Sequence, residues 1–209
     1  MVFYDCPTAP SPRRTRIFLA EKSLEIETKS INIGEGEQLS SAFLEVNPRG
    51  TVPVLVTEAG NVLTENVAIA IYLEEKFPDP PLLGANVEDK AQVLMWNAIV
   101  EQQGGLPIAD VLRNSNPHMT GRAIAGPVNF DQIPALADRS KQRVQIFYGM
   151  LEEQLRGREW LAIDQFSMAD ITAYVFIEFA RVIKAGIPEE NVASLAWMKR
   201  VKERPSSNA

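Results

Sequence analysis

The segment Asn47-Pro48-Arg49-Gly50-Thr51-Val52-Pro53-Val54-Leu55 decides the fold of this chain. The run from Val52 to Val56 is typical of a buried strand, with Pro53 near its start. A proline there can mark an edge strand or a bulge. It can also form a cis bond that turns the Val52 N–H and C=O out of the sheet, where an extended peptide could pair with them. Only about 5–6% of X-Pro bonds in folded proteins are cis, so the residues alone leave both interpretations open.

Alternating apolar positions and turn residues predict the elements around this segment. We expect strands at Val2–Tyr4 and Leu24–Asn32, joined by a helix over Arg13–Lys22 that Ser11 caps and Pro12 opens. The turn Ala59-Gly60-Asn61 and the pair Val62-Leu63 predict a hairpin, followed by a helix from Val67 to Phe77. The resulting order is β-α-β and then β-β-α. Its first half requires a parallel strand pair with a right-handed crossover.

A proline-rich linker, Pro78–Gly84, separates this part from a second part with only helical patterns. The predicted helices are Glu88–Leu112, Pro134–Arg156, Met168–Lys184 and Asn191–Lys202. Residues 113–133 are predicted to form a loop, and residues 205–209 are expected to fray.

Composition limits the classes of function. The chain has 209 residues and a formal net charge of -6, which argues against a nucleic-acid partner. Its single cysteine excludes an intrachain disulfide, and His118 is its only histidine, in a polar stretch typical of a surface loop. No apolar run reaches the roughly 20 residues of a membrane span, and Met1–Asp5 does not read as a signal peptide. We therefore expect a cytoplasmic protein without a membrane or metal partner.

The Asn-Pro-x-Gly-x-Val-Pro-x-Leu segment, followed by Leu63-Thr64-Glu65-Asn66, Tyr72-Leu73 and Phe77-Pro78, resembles the glutathione-transferase family. The resemblance covers nearly all of the first 80 residues. It implies a thioredoxin-like α/β domain at residues 1–78 and an α-helical bundle domain at residues 85–209. It also implies glutathione as co-substrate, a small hydrophobic electrophile as second substrate, and a homodimer.

The same resemblance assigns residues to glutathione. Val52, beside a cis Pro53, would pair its backbone with the cysteinyl group, and Glu65 would meet the γ-glutamyl amine. Asn66 stands where most relatives have serine, at the start of a helix whose free N–H groups favour a carboxylate. Gln38 occupies a position near the glycyl carboxylate, although a solvated loop glutamine is the alternative.

The position that serine or cysteine usually holds in this family is Ala9 here, so another residue has to activate the thiol. We expect Ser11 to take that role, with Thr8 as the second candidate; Ser11 as a plain helix cap is the alternative. Cys6 lies about three residues too early for the nucleophile of the cysteine-type relatives. Arg13 and Arg14 in the first helical turn oppose the macrodipole, which indicates either a bound anion or simple exposure to solvent.

In the helical part, Trp96, Asn97 and Arg113 are placed beside the second substrate, with Trp96 alternatively in the core or a dimer interface. Ser167 and Asp170 have the spacing of a capping box, which predicts a folding role. Two other functions stay open at this point. One is a glutathione-dependent thiol/disulfide reductase, and the other is a non-catalytic interaction protein.

Overall fold

The computed structural model describes all 209 residues. A four-stranded sheet has the order β2-β1-β3-β4, where β1 is Val2–Asp5, β2 is Glu27–Ser30, β3 is Val54–Val56 and β4 is Val62–Leu63. The β1–β2 pair is parallel and the other two pairs are antiparallel. The helices of this part are α1 (Pro10–Glu21), α2 (Ser41–Val46) and α3 (Asn66–Lys76). The predicted β-α-β and β-β-α order and the thioredoxin-like fold are confirmed.

Five further helices follow the linker. They are α4 (Val87–Val100), α5 (Leu106–Ser115), α6 (Pro134–Leu155), α7 (Met168–Phe179) and α8 (Val192–Lys202). The second part is therefore all-helical, as predicted. No helix has the length and apolar character needed to cross a bilayer.

One predicted long helix is interrupted. A π-helical turn, Glu101–Gly105, joins α4 to α5. Pro107 explains it, because a proline cannot donate to the carbonyl four residues earlier and its ring crowds that carbonyl. The chain keeps its helical path through Ser115, so the predicted loop begins three residues later than expected.

Three other boundaries differ from the prediction. Strand β2 is shorter than Leu24–Asn32, because it is an exposed edge strand. Helix α7 ends at Phe179 and passes into a 3₁₀ turn through Ile183. The C-terminal residues do not fray: Pro205–Asn208 forms a 3₁₀ turn on α1, held by Arg204 Nη2 at 2.6 Å from Glu21 Oε2.

The two parts share one core. A single apolar cluster of 35 buried residues includes Phe3 and Leu55 from the sheet and Trp197 from α8. Lys22 fixes the linker through hydrogen bonds, because its Nζ donates to the carbonyls of Phe77 and Pro80. The same Nζ lies 2.8 Å from Glu74 Oε2. The division at residues 78 and 85 stays a prediction.

The capping box at the start of α7 is confirmed. The buried Asp170 carboxylate accepts from the Ser167 N–H at 3.1 Å, and also from Leu161 N at 2.9 Å and Trp197 Nε1 at 2.8 Å. Asp170 thus ties α7 to α8 and to the segment before it, which is the folding role expected of this motif.

Candidate functional site

A cavity of about 430 Å³ lies between the sheet part and the helices. The starts of α1 and α3 and the Val52-Pro53 turn form one wall. Helix α5, the loop around residues 121–129 and the end of α7 form the other. Seven of the predicted site residues line this cavity: Ser11, Gln38, Val52, Pro53, Glu65, Asn66 and Arg113.

The Val52-Pro53 bond is cis, as the resemblance implied. Strand β3 begins only at Val54, and the Val52 N–H and C=O make no hydrogen bond within the chain. The turn before it is fixed by Asn47, whose side-chain nitrogen donates to Thr51 O at 2.8 Å. Val52 therefore presents one free donor and one free acceptor to the cavity, as a strand does to a partner strand.

The start of α3 offers a second set of free donors. Glu65 precedes the helix without a side-chain cap, and the first paired N–H is that of Ile69, to Glu65 O. The N–H groups of residues 66–68 are left free, as expected at a helix N-terminus. Thr15 Oγ1 donates to Asn66 Oδ1 at 2.9 Å, which leaves the Asn66 amide nitrogen without a partner in the chain. This end of the cavity favours a carboxylate.

The Glu65 carboxylate lies at the same end and is 72% exposed. Its partner, Arg49 Nη1, lies 3.6 Å away and is also exposed, so the pair adds little to stability. Glu65 is free to accept a cation from a ligand. A carboxylate site beside a cation site fits an α-amino acid.

The start of α1 corrects one part of the sequence analysis. The helix begins at Pro10, and Ala9 holds the N-cap position without a side-chain bond. Ser11 is therefore not the cap. Pro10 and Pro12 have no N–H, so among the first three helical residues Ser11 alone has a backbone donor. Neither its N–H nor its hydroxyl is paired within the chain, and Ser11 lines the cavity.

The other two candidates for thiol contact lie elsewhere. Thr8 is exposed and lines a separate surface depression, not this cavity. Cys6 is buried beneath the loop, with its Sγ 3.4 Å from Thr8 Oγ1, and it does not line the cavity. The structure therefore does not bring Thr8 into the cavity with Ser11.

Two buried polar atoms in the cavity wall have no partner. They are Gln38 Oε1 and Arg14 Nε, whose residues are 7% and 5% exposed. The protein has two other buried side-chain atoms without hydrogen bonds, but both belong to carboxylates in ion pairs. Buried polar groups are nearly always satisfied, so these two atoms are exceptions in this structure.

Arg13 and Arg14 do not point to solvent, contrary to one of the two expectations. Arg13 donates to Ser207 O at 2.8 Å and so holds the C-terminal turn. Arg14 is paired with Glu101 of the π-helical turn, and its guanidinium lies over the Phe176 ring at 4.8 Å. Desolvation by burial lowers the pKa of Arg14, although Glu101 partly offsets it.

Trp96 and Asn97 do not reach the cavity. Both are buried between helices, and Asn97 Oδ1 accepts from Thr172 Oγ1 at 2.6 Å. Neither residue lines the cavity, because the part of the helical path that borders the cavity comes after the π-helical turn. Trp96 in the core was the alternative interpretation, and it matches the structure.

Sequence reasoning did not identify the rest of the second wall. It consists of Gly105, Ala109 and Leu112, of Phe176 and Phe179, and of the loop residues Gly121, Arg122, Ile124, Ala125, Gly126 and Asn129. The four-residue spacing of Gly105, Ala109 and Arg113 places them on one helix face. That periodicity was the available signal for this wall. His118 is exposed, as expected.

Comparisons with known proteins agree with this geometry. Models described as "Glutathione S-transferase, N-terminal domain" and "Glutathione S-transferase, C-terminal domain" match residues 8–76 and 115–205. Glutathione S-transferase 2 of Saccharomyces cerevisiae is 34% identical over 213 residues, covering 99% of this chain and 87% of that protein. The crystal structure of Gtt2 from the same yeast superimposes with a TM-score of 0.90 at 34% identity, covering 100% of this chain and 99% of that one. The disulfide-bond oxidoreductase YfcG of Escherichia coli is 27% identical over 213 residues, covering 98% of this chain and 91% of that protein.

Proposed function

This chain belongs to the glutathione S-transferase family and is a glutathione-binding transferase, and we propose that its thiol substrate lies as an extended strand along Val52. The unpaired Val52 N–H and C=O carry this proposal. A peptide in extended conformation offers one acceptor and one donor at the matching spacing. The cysteinyl residue of glutathione takes this place, with Pro53 beside it.

The γ-glutamyl end fits the start of α3. Its carboxylate accepts from the free N–H groups of α3 and from the Asn66 amide, and its ammonium meets Glu65. The opposite, glycyl end extends toward Gln38 in the same wall, whose side-chain NH₂ group can donate to the glycyl carboxylate. With both ends of glutathione assigned, Ser11 remains as the residue that contacts the cysteinyl sulfur in the middle of the tripeptide.

Ser11 activates the thiol in this proposal. A free cysteine thiol has a pKa near 8.5, so little thiolate exists at neutral pH. The Ser11 hydroxyl and N–H, at the positive end of α1, favour the thiolate because both can donate to it. The N-cap Ala9 supplies no side-chain donor, so Ser11 takes over the role that serine or cysteine has in relatives.

The transfer step joins the thiolate sulfur to an electrophilic carbon, and the leaving group departs with the electrons of the broken bond. Leu112, Phe176 and Phe179 give the opposite wall an apolar surface that excludes water and holds the electrophile against the sulfur. Removal of reactive electrophiles in this way is a detoxifying reaction.

Calorimetry and a conjugation assay test the proposed function together. Glutathione should bind in the micromolar to millimolar range, and the protein should accelerate its reaction with 1-chloro-2,4-dinitrobenzene. Absence of binding at millimolar glutathione would instead favour the non-catalytic interaction protein.

A reductase function is the second candidate, and similarity to YfcG favours it. Cys6 does not line the cavity, so any disulfide exchange there uses the glutathione sulfur as nucleophile. In that case the thiolate attacks a glutathione mixed disulfide, one thiolate leaves, and glutathione disulfide forms. A Cys6→Ala variant should keep all such activity. Loss of reductase activity in Cys6→Ala would show that Cys6 takes part in the reaction.

We also propose a homodimer and a cytoplasmic location. Exposed apolar side chains on the two parts, among them Ile71 on α3 and Met95 on α4, support contact with a second copy. Sedimentation velocity should give twice the mass of the chain; a monomer at micromolar concentration would contradict the dimer.

A further inference from the structure

Two arginines in the cavity wall have no acidic partner. Arg113 on α5 donates through Nη1 to Arg122 O at 2.8 Å, and the Arg122 side chain forms no hydrogen bond or ion pair. Neither guanidinium is within salt-bridge distance of any carboxylate in the chain. Burial and the neighbouring Arg122 charge lower the pKa of Arg113, which agrees with a positive charge that nothing in the chain compensates.

The charge of this wall contrasts with that of the whole protein. The chain has a formal net charge of -6, yet the charged residues lining the cavity are Arg14, Arg113, Arg122 and Glu65. Of these, Arg14 is paired with Glu101, and Glu65 lies at the glutathione end. The side facing the second substrate therefore has an excess of positive charge in an otherwise acidic protein.

The position of the arginine pair argues for the second substrate and not for glutathione. The two ends of glutathione are accounted for by α3 with Glu65 and by Gln38. Arg113 belongs to the helical wall, on the same helix as Ala109 and Leu112, and the apolar Ile124 lies two residues after Arg122. The arrangement suits a molecule with an apolar body and an anionic end.

From these contacts we propose that the electrophile carries a carboxylate, which Arg113 and Arg122 bind while its apolar body packs between Leu112, Ile124 and Phe179. This inference rests on the proposed transferase function and names its substrate class. Arginine suits the task, because its planar fork binds carboxylates through two parallel hydrogen bonds.

A matched pair of electrophiles tests the proposal. The protein is assayed at saturating glutathione with 4-fluoro-3-nitrobenzoate and with the neutral 4-fluoro-3-nitrobenzamide, each rate being corrected for the uncatalysed reaction. In both, the thiolate displaces fluoride by the same aromatic substitution. The variant Arg113→Gln removes the charge but keeps an amide donor for the Arg122 carbonyl, and Arg122→Gln removes an exposed charge. The variant Arg158→Gln serves as control, because Arg158 is exposed, unpaired and outside the cavity.

Each cavity variant should reduce kcat/KM for the benzoate about tenfold more than for the benzamide, mainly through KM. Arg158→Gln should change neither substrate. Equal losses with both electrophiles would overturn the proposal, as would a raised KM for glutathione with unchanged discrimination, since the arginines would then serve the tripeptide. Glutathione binding and benzamide turnover in the unmodified protein are read separately, and their absence would refute the proposed function itself.

Discussion

Replacing Ser11 with alanine should raise the pKa of the bound glutathione thiol. The hydroxyl is unpaired in the chain and lies in the cavity wall, so its donor is available to the sulfur. A hydrogen bond to a charged group contributes about 1.5–3 kcal/mol, and one pKa unit corresponds to about 1.4 kcal/mol. The variant should therefore raise the thiol pKa by about one to two units, because the donor favours the thiolate.

With the hydroxyl alone removed, the pKa of the bound thiol is not expected to rise as far as that of the free thiol in solution. Ser11→Ala keeps the backbone N–H and the N-terminus of α1, and these still favour the thiolate. The acidic limb of the pH profile of kcat/KM should move to higher pH by the same amount as the thiol pKa rises. At neutral pH the rate should fall about 10- to 100-fold, while glutathione affinity changes less.

The thiolate absorbance of the bound complex, titrated against pH, measures this pKa directly. Thr8→Ala is the matched control, because it removes a hydroxyl from the same loop at an exposed position outside the cavity. A thiol pKa that rises in Thr8→Ala and stays constant in Ser11→Ala would refute the assignment.

Three further variants probe other parts of the account. Glu65→Gln should weaken glutathione binding about five- to tenfold in calorimetry, with little change in thermal stability because the carboxylate is 72% exposed; unchanged affinity would remove Glu65 from the site. Gly105→Ala should lower the urea midpoint by an amount equal to about 1–3 kcal/mol, since an added Cβ would lie 2.5 Å from the Phe176 ring; full stability would show that the ring can move aside. Asp170→Ala should destabilise the fold by at least about 3 kcal/mol in urea unfolding, because the Trp197 indole and two backbone donors lose their buried acceptor. A loss of stability under about 1 kcal/mol, roughly that of an ordinary hydrogen bond, would contradict this.

The half of the cavity formed by the sheet part was predictable because it is local in sequence. Val52 and Pro53 lie in one motif, and Glu65 and Asn66 mark the start of one helix, so their place in the cavity wall depends on short segments. Ser11 was identified from its position, but its place in the helix was wrong. A serine before a proline is a good N-cap, yet α1 accepted Pro10 as its first residue, which moved Ser11 into the first turn.

The helical wall of the cavity depends on long-range packing, and the sequence did not specify it. Trp96 and Arg113 lie on what reads as one helix, but the turn forced by Pro107 separates a buried part from the part that borders the cavity. The loop that carries Arg122 has no periodic pattern to position it. The docking of Arg204 on Glu21 joins residues 183 positions apart, which no local signal indicates.

A crystal structure of the protein soaked with glutathione would show whether the tripeptide lies along Val52. The Val52 N–H and C=O should each lie about 2.7–3.2 Å from the cysteinyl backbone, with the sulfur toward Ser11 and the amino end at Glu65. Glutathione bound elsewhere, with the Val52 backbone groups still unpaired, would contradict the account.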